Sequence, residues 1–249
     1  MKKTMKYSVL RYSPSQVSGE HINLGIIFDA PQEGYREFRY LKKFSRLSSF
    51  DDELNIDNTK NLLQSIKIDV AGTIENYDSF DLDKYVEFFI NDFSFERPKQ
   101  ITYEDLNEVV TALHKSYFRF EYDKKDRPSV DDDRKLLARI IQSSGKRFDR
   151  NIRLEGVFNE KITYDFVTDE YKVKVFDFNN KDLSRAMNSA KAWAWNGIHN
   201  TGKKLLIIYR YSDDQDKGDD TFKSIINILE KSGAEVRDFD SGIRLLQAV

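Results

Sequence analysis

A length of 249 residues suits one large domain or two of medium size. Hydrophobic residues at 39% and aromatics at 13% supply a core even though 33% of the chain is charged, which excludes a disordered polypeptide. The absence of Cys removes disulfides, thiolate metal sites and thiol nucleophiles, and 40 basic against 42 acidic side chains give a formal charge of −2, with no overall attraction to phosphate.

The opening MKKTMKYSVLRY is basic but leads into a polar, strand-like segment without the apolar run that export requires. No stretch approaches the ~20 apolar residues of a membrane span. The expectation is a cytoplasmic protein with no membrane contact. Residues 6–12 carry the β-branched and aromatic content of a strand, and SPSQVSG breaks it. Ile22, Leu24, Ile26 and Phe28 alternate through a second strand, His21–Asp29, in which Gly25 marks a bulge or a close backbone approach. A third strand is predicted over Tyr35–Tyr40. Helices follow where Leu41, Phe44 and Leu47 recur at helical spacing, then over Thr59–Val70, Leu82–Asn91 and Tyr103–Tyr117. Strands before helices is the α+β order.

The motif Tyr7-Ser-Val-Leu-Arg-Tyr-Ser-Pro, followed by Gly19-Glu20 and by Ile22-Asn23-Leu24-Gly25-Ile26, resembles the start of the bacterial and phage proteins grouped as domain of unknown function 3037. The resemblance implies a small protein of a mobile element or a neighbour of toxin-like kinases, and it carries over no catalytic residue. Within the motif, Arg11, Glu20 and Asn23 form either a polar binding site across adjacent strands or a turn held by Glu20 and Asn23 with Arg11 as a surface partner.

Glu121–Asp133 is a charged, turn-forming segment with Pro128 and reads as a linker, dividing the chain into 1–125 and 129–249. Ser129 can cap a helix with Asp131, Asp132 and Asp133 in its first turn and Leu136, Leu137, Ile140 and Ile141 along its buried stripe, ended by Gly145. Strands are predicted over Ile152–Phe158, Ile162–Thr168 and Tyr171–Phe178. A helix from Lys181 to about Asn196, the strand LLIIYR from Leu205, a helix over Thr221–Ser232 and a strand over Glu235–Phe239 complete the chain. The second half is thus an αβββαβ-type mixed-sheet lobe. The order is similar to the core of the restriction-endonuclease-like superfamily, whose active members carry an Asp on one strand and an acid-x-Lys triplet on the next. That resemblance implies Mg²⁺ held by carboxylates, with the Lys steadying the attacking water.

A two-residue turn at Asp169-Glu170 sets Val167 opposite Lys172, Phe166 opposite Val173 and Asp165 opposite Lys174. Tyr164, Phe166, Val173 and Val175 then share a core face, and Asp165, Lys172 and Lys174 the other. Lys172 stands two before Lys174, where the nuclease pattern needs an acid, so the hairpin reads as a cross-strand ion pair between Asp165 and Lys174. The catalytic alternative uses Asp165, Glu170 and Lys172.

Trp193 and Trp195 point about 200° apart on a helix. Trp193, in line with Met187 and Ala190, is expected in the core, and Trp195 at the surface as a contact residue. The acidic loop Ser212–Asp220 fails as a calcium loop, because Ile225 stands where the bidentate Glu belongs. His21, His114 and His199 show no zinc spacing, and no phosphate loop, dinucleotide-binding glycine run, GxSxG or kinase signature occurs. The expectation is a non-catalytic interaction protein without a cofactor, acting on a protein or nucleoprotein partner, for example in defence or counter-defence. The alternatives are a Mg²⁺-dependent nuclease and a nucleic-acid-binding module with a basic face at Lys172, Lys174, Lys203 and Lys204.

Overall fold

The apolar alternation of the first forty residues builds an antiparallel meander in the computed structural model: β1 (Lys3–Tyr12), β2 (Ile22–Ala30) and β3 (Tyr35–Tyr40). The structure describes residues 3–15, 17, 19–73, 80–156, 158–178, 183–210 and 220–248, so the acidic loop ending at Asp220 lies almost wholly outside it. Gly25 on β2 is required by contact, since a Cβ there would stand 2.2 Å from the Phe38 ring. A register shift falls between Leu10 and Arg11.

Short helices α1 (Ser45–Phe50) and α3 (Leu82–Val86) flank the longer α2 (Ile56–Gly72). The caps are legible locally: Asn55 accepts from the Asn58 amide, and Asp81 from those of Asp83 and Lys84. The predicted helix Leu82–Asn91 stops early, and Asn91 has a φ of 67°. Two strands that periodicity does not reveal then follow. β4 (Phe93–Phe95) pairs with Leu10–Tyr12, and β5 (Lys99–Tyr103) pairs with Lys3–Tyr7. They form because β1 offers both of them its second edge. Tyr103 therefore ends a strand, and the helix predicted from it, α4 (Leu106–Tyr117), begins after the cap Asp105.

These elements belong to a compact unit, Met1–Ser129, and the remainder to a second, Val130–Val249. The second contains α5 (Val130–Ser143), β6 (Phe148–Glu155), β7 (Lys161–Thr168), β8 (Tyr171–Asp177), α6 (Leu183–Ile198), β9 (Lys204–Arg210), α7 (Asp220–Lys231), β10 (Glu235–Asp238) and α8 (Phe239–Ala248). Its sheet runs β10-β9-β8-β7-β6, antiparallel through the meander and parallel from β8 to β10. With one antiparallel and one mixed sheet among the eight α-helices of the described residues, the fold is α+β. Among the described residues no helix is long and apolar enough to cross a membrane.

β9 is an interior strand, between β8 and β10, and is buried on both faces, which is why LLIIYR is apolar without alternation. Leu205 and Ile207 join Phe176, Phe178, Phe222 and Ile225 in the core under α6 and α7. Ile208 meets α8, where a Cβ on Gly242 would come within 2.9 Å of it. α8 itself was not anticipated. Asp238 caps it through the Ser241 amide at 2.9 Å, and Gly242 masks its helical propensity.

In the first unit the buried Arg36 ties β3 to the end of α2. Its Nε is 3.0 Å from Asp29 Oδ1, Nη1 donates to the Thr73 carbonyl and hydroxyl, and the guanidinium lies 3.8 Å from the Phe80 ring centroid. Burial raises the Asp29 carboxyl above its ordinary value, and Arg36 opposes that shift. Arg36→Ala strands a buried carboxylate and is expected to destabilise by about 3–5 kcal/mol in urea unfolding followed by circular dichroism. His114 gives a pH-dependent counterpart. Its Nδ1 lies 2.7 Å from the Tyr122 hydroxyl, and burial, then Arg39, holds its pKa at about 4. Since that lies below the ordinary value of 6.5, His114 contributes stability that is complete above pH 6.5 and is lost as pH falls toward about 4. In His114→Gln the melting temperature should depend less on pH across that window.

Candidate functional site

The β7–β8 hairpin closes through the two-residue turn at Asp169-Glu170, with the Tyr171 amide donating to Thr168 Oγ1 at 2.9 Å. Phe166 pairs with Val173 and Val167 with Lys172, the register that the turn length dictates. Beyond Phe166 the ladder changes. The Val175 amide donates to Asp165 Oδ2 at 2.8 Å, so a side-chain carboxylate enters the space between the strands.

Asp165 is 5% exposed and has two cations beside it. Arg134 of α5 places Nε 2.9 Å from Oδ1, and Lys174 Nζ stands 3.4 Å from Oδ2. Arg134 also reaches Asp131 at 2.8 Å. Lys174 donates to the Thr163 carbonyl at 3.3 Å, and its ammonium lies 5.3 Å from the Trp193 ring centroid. Across β6, between the pairs Arg150–Phe166 and Ile152–Tyr164, Asn151 adopts a φ of 51°.

This break corrects the expected faces. Tyr164 packs edge-on to Trp193 at 5.5 Å in the core under α6, whereas Phe166 shares the opposite face with Val173 and Phe148. Strict alternation from 164 to 166 fails because Asp165 turns toward Val175 and Arg134.

The residues of the catalytic alternative do not converge. Glu170 is exposed in the turn, and its carbonyl accepts from the Lys204 amide at 2.9 Å. Lys172 Nζ donates to Asn200 Oδ1 and the Thr201 carbonyl, each at 3.0 Å, on the loop after α6. Burial, then repulsion from Lys203, lowers its pKa from the ordinary lysine value. Among the described residues no group of three or more His, Asp or Glu side chains could hold a metal ion.

A second buried charge pair was missed. Asp133 faces inward from α5 and accepts from Arg210 Nε at 2.6 Å, and the Arg210 guanidinium lies 3.5 Å from the Phe239 ring centroid. The signal was present: Asp133 precedes Leu136, Leu137 and Ile140 by three, four and seven positions and so continues their stripe. Asp177, also buried, is the β8 neighbour of Arg210.

In the first unit Arg11 and Asn23 are cross-strand neighbours, as the polar-site reading needs. The carboxylate bound to Arg11 comes from Glu96, which also takes Lys99 at 2.5 Å, while Glu20 is exposed before β2 begins. Trp195 is 43% exposed, whereas Trp193 packs against the core. Phe158, in the turn between β6 and β7, stacks on Trp195 at 5.8 Å with rings 10° apart, and the His199 ring lies 4.0 Å from Trp195.

Residues 7–89 match the family described as Protein of unknown function (DUF3037). The matched segment includes Arg11, Glu20 and Asn23 and ends before the second unit. Comparison with curated proteins and with solved structures finds no match.

Asp165→Ala would leave Arg134 and Lys174 beside a cavity and the Val175 amide without its acceptor. The expected loss is about 3–5 kcal/mol, the cost of breaking a buried pair. A metal-site carboxylate held among like charges would behave oppositely, since its removal relieves repulsion. Both tryptophans lie in the second unit, so urea unfolding followed by their fluorescence reads this change there.

Proposed function

We propose that this chain is a non-catalytic interaction protein acting on a protein or nucleoprotein partner, with a nuclease-like second unit that has lost metal chemistry. One observation carries the reading: the Asp165 carboxylate is engaged by Arg134, Lys174 and the Val175 amide. Mg²⁺ takes about six oxygen ligands at roughly 2.0–2.1 Å, keeping several waters and binding through one or two carboxylates. A guanidinium at ion-pair distance supplies the compensating charge instead, and it does so without an open coordination position.

The αβββαβ order, with an Asp on the second strand and a Lys on the third, supports descent from a cutting ancestor. Arg134 at Asp165 and Arg210 at Asp133 support its conversion into a scaffold. The family likeness of the first unit supports placement in a phage or other mobile genetic element, with defence or counter-defence as the setting. The lack of Cys is in keeping with a reducing cytoplasm.

The competing Mg²⁺-dependent nuclease would need Asp165, Glu170 and Lys172 to gather around one phosphate, which requires the hairpin to reopen. Incubation of the purified chain with plasmid and single-stranded substrates in Mg²⁺ or Mn²⁺ is expected to leave both intact. Cutting that disappears in Asp165→Ala would overturn the proposal.

A further inference from the structure

Near the exposed rings of the second unit are two ammonium groups, those of Lys172 and Lys203, that make no ion pair with a carboxylate among the described residues. Phe158 is 71% exposed and Trp195 43%, and the pair is nearly parallel. His199 packs against Trp195, and its Nδ1–H donates to the Trp195 carbonyl, 3.0 Å away. The next residue, Asn200, receives Lys172 Nζ at 3.0 Å and donates through Nδ2 to the Lys203 carbonyl at 2.7 Å. Lys203 Nζ in turn donates to the Thr168 carbonyl.

Lys172 and Lys203 are therefore held on neutral oxygens, and neither makes an ion pair with a carboxylate among the described residues. They are near enough for Lys203 to depress the pKa of Lys172. Two ordered ammonium groups that repel each other are stabilised by an anion placed between or above them. Lys191, exposed one helical turn before Trp195, adds a third positive charge to the same region.

We propose that this surface binds single-stranded nucleic acid, with bases stacking on Phe158 and Trp195 and the phosphate backbone passing Lys172 and Lys203. Flat rings with cations alongside match a polymer that alternates planar bases with phosphates. An acidic polypeptide would use the charge and leave the rings without a planar counterpart. A duplex keeps its bases stacked inside and would offer the rings nothing. The proposal deepens the interaction reading by naming the nucleic-acid part of its partner, and it rests on that reading only in expecting binding without cutting.

The test is fluorescence anisotropy of a labelled strand of about 16 nucleotides with the full chain at about 50 mM salt, without metal. Binding is expected, with preference for single strand over duplex. Phe158→Ala and Trp195→Ala should each weaken it by about 5-fold or more. Lys203→Ala should make log K less steep in log salt by about 0.7. Phe158 is exposed enough for its removal to leave the fold intact, and circular dichroism of each variant checks this. No retention at low salt would overturn the proposal, as would binding unchanged in both ring variants or matched by polyglutamate. Cleavage of the bound strand on adding Mg²⁺ would instead overturn the non-catalytic reading and leave this site standing.

Discussion

A carboxylate removed from water must be given its hydrogen bonds and counter-charge by the protein, and in the second unit that requirement fixes how a helix meets a sheet. Asp165 lies buried with Arg134 beside it, and Arg134 is presented by α5. The same helix sends Asp133 to Arg210 on β9. Two residues adjacent in sequence thus clamp α5 to two different strands, each with a charge of the opposite kind. Apolar side chains along the helix supply most of the burial, but they would tolerate a slide or a rotation. The two ion pairs would not. Their worth lies in register more than in net stability, since desolvation offsets much of the attraction.

The first unit uses the same device where its sheet must hold a helix end. Arg36 satisfies Asp29 within the β2–β3 hairpin and directs Nη1 to Thr73 at the close of α2. Its planar fork suits this better than a lysine would, because several directed bonds and a ring contact are made at once. The Arg11–Glu96–Lys99 group repeats the pattern at the opposite edge of β1, where strands far apart in sequence are pinned to one carboxylate.

Local chemistry was legible in the chain and distant partners were not. Alternation at Ile22, Leu24, Ile26 and Phe28, the acidic first turn of α5, the apolar run of β9 and the turn at Asp169-Glu170 each announce an element or a register within a few residues. β4 and β5 are too short to show a period and exist because β1 has an edge to share. α8 carries a glycine that propensity counts against it and packing against Ile208 demands. Asp133 reads with Asp131 and Asp132 as the acidic first turn that a helix dipole favours, and its spacing to Leu137 and Ile140 also places it on the buried stripe. For the candidate site, Asp165 and Lys174 were found from the hairpin alone, whereas Arg134 sits thirty-one positions before Asp165 and no local pattern points to it. The surface ring of Trp195 follows from helical geometry. Its stacking on Phe158 depends on where a loop folds back.

α5 packs against α8, and Lys146 just beyond α5 donates to the Leu246 carbonyl, 100 residues later. The first helix of the second unit is therefore completed by the last. During synthesis the β6–β7–β8 meander can form as soon as it emerges, because its contacts are local. One face of the sheet must then wait for α8, with α5 carrying apolar residues that have no final neighbour. A unit closed in this way acquires its last face in one late step. Its vulnerable moment is set by the order in which its residues are made.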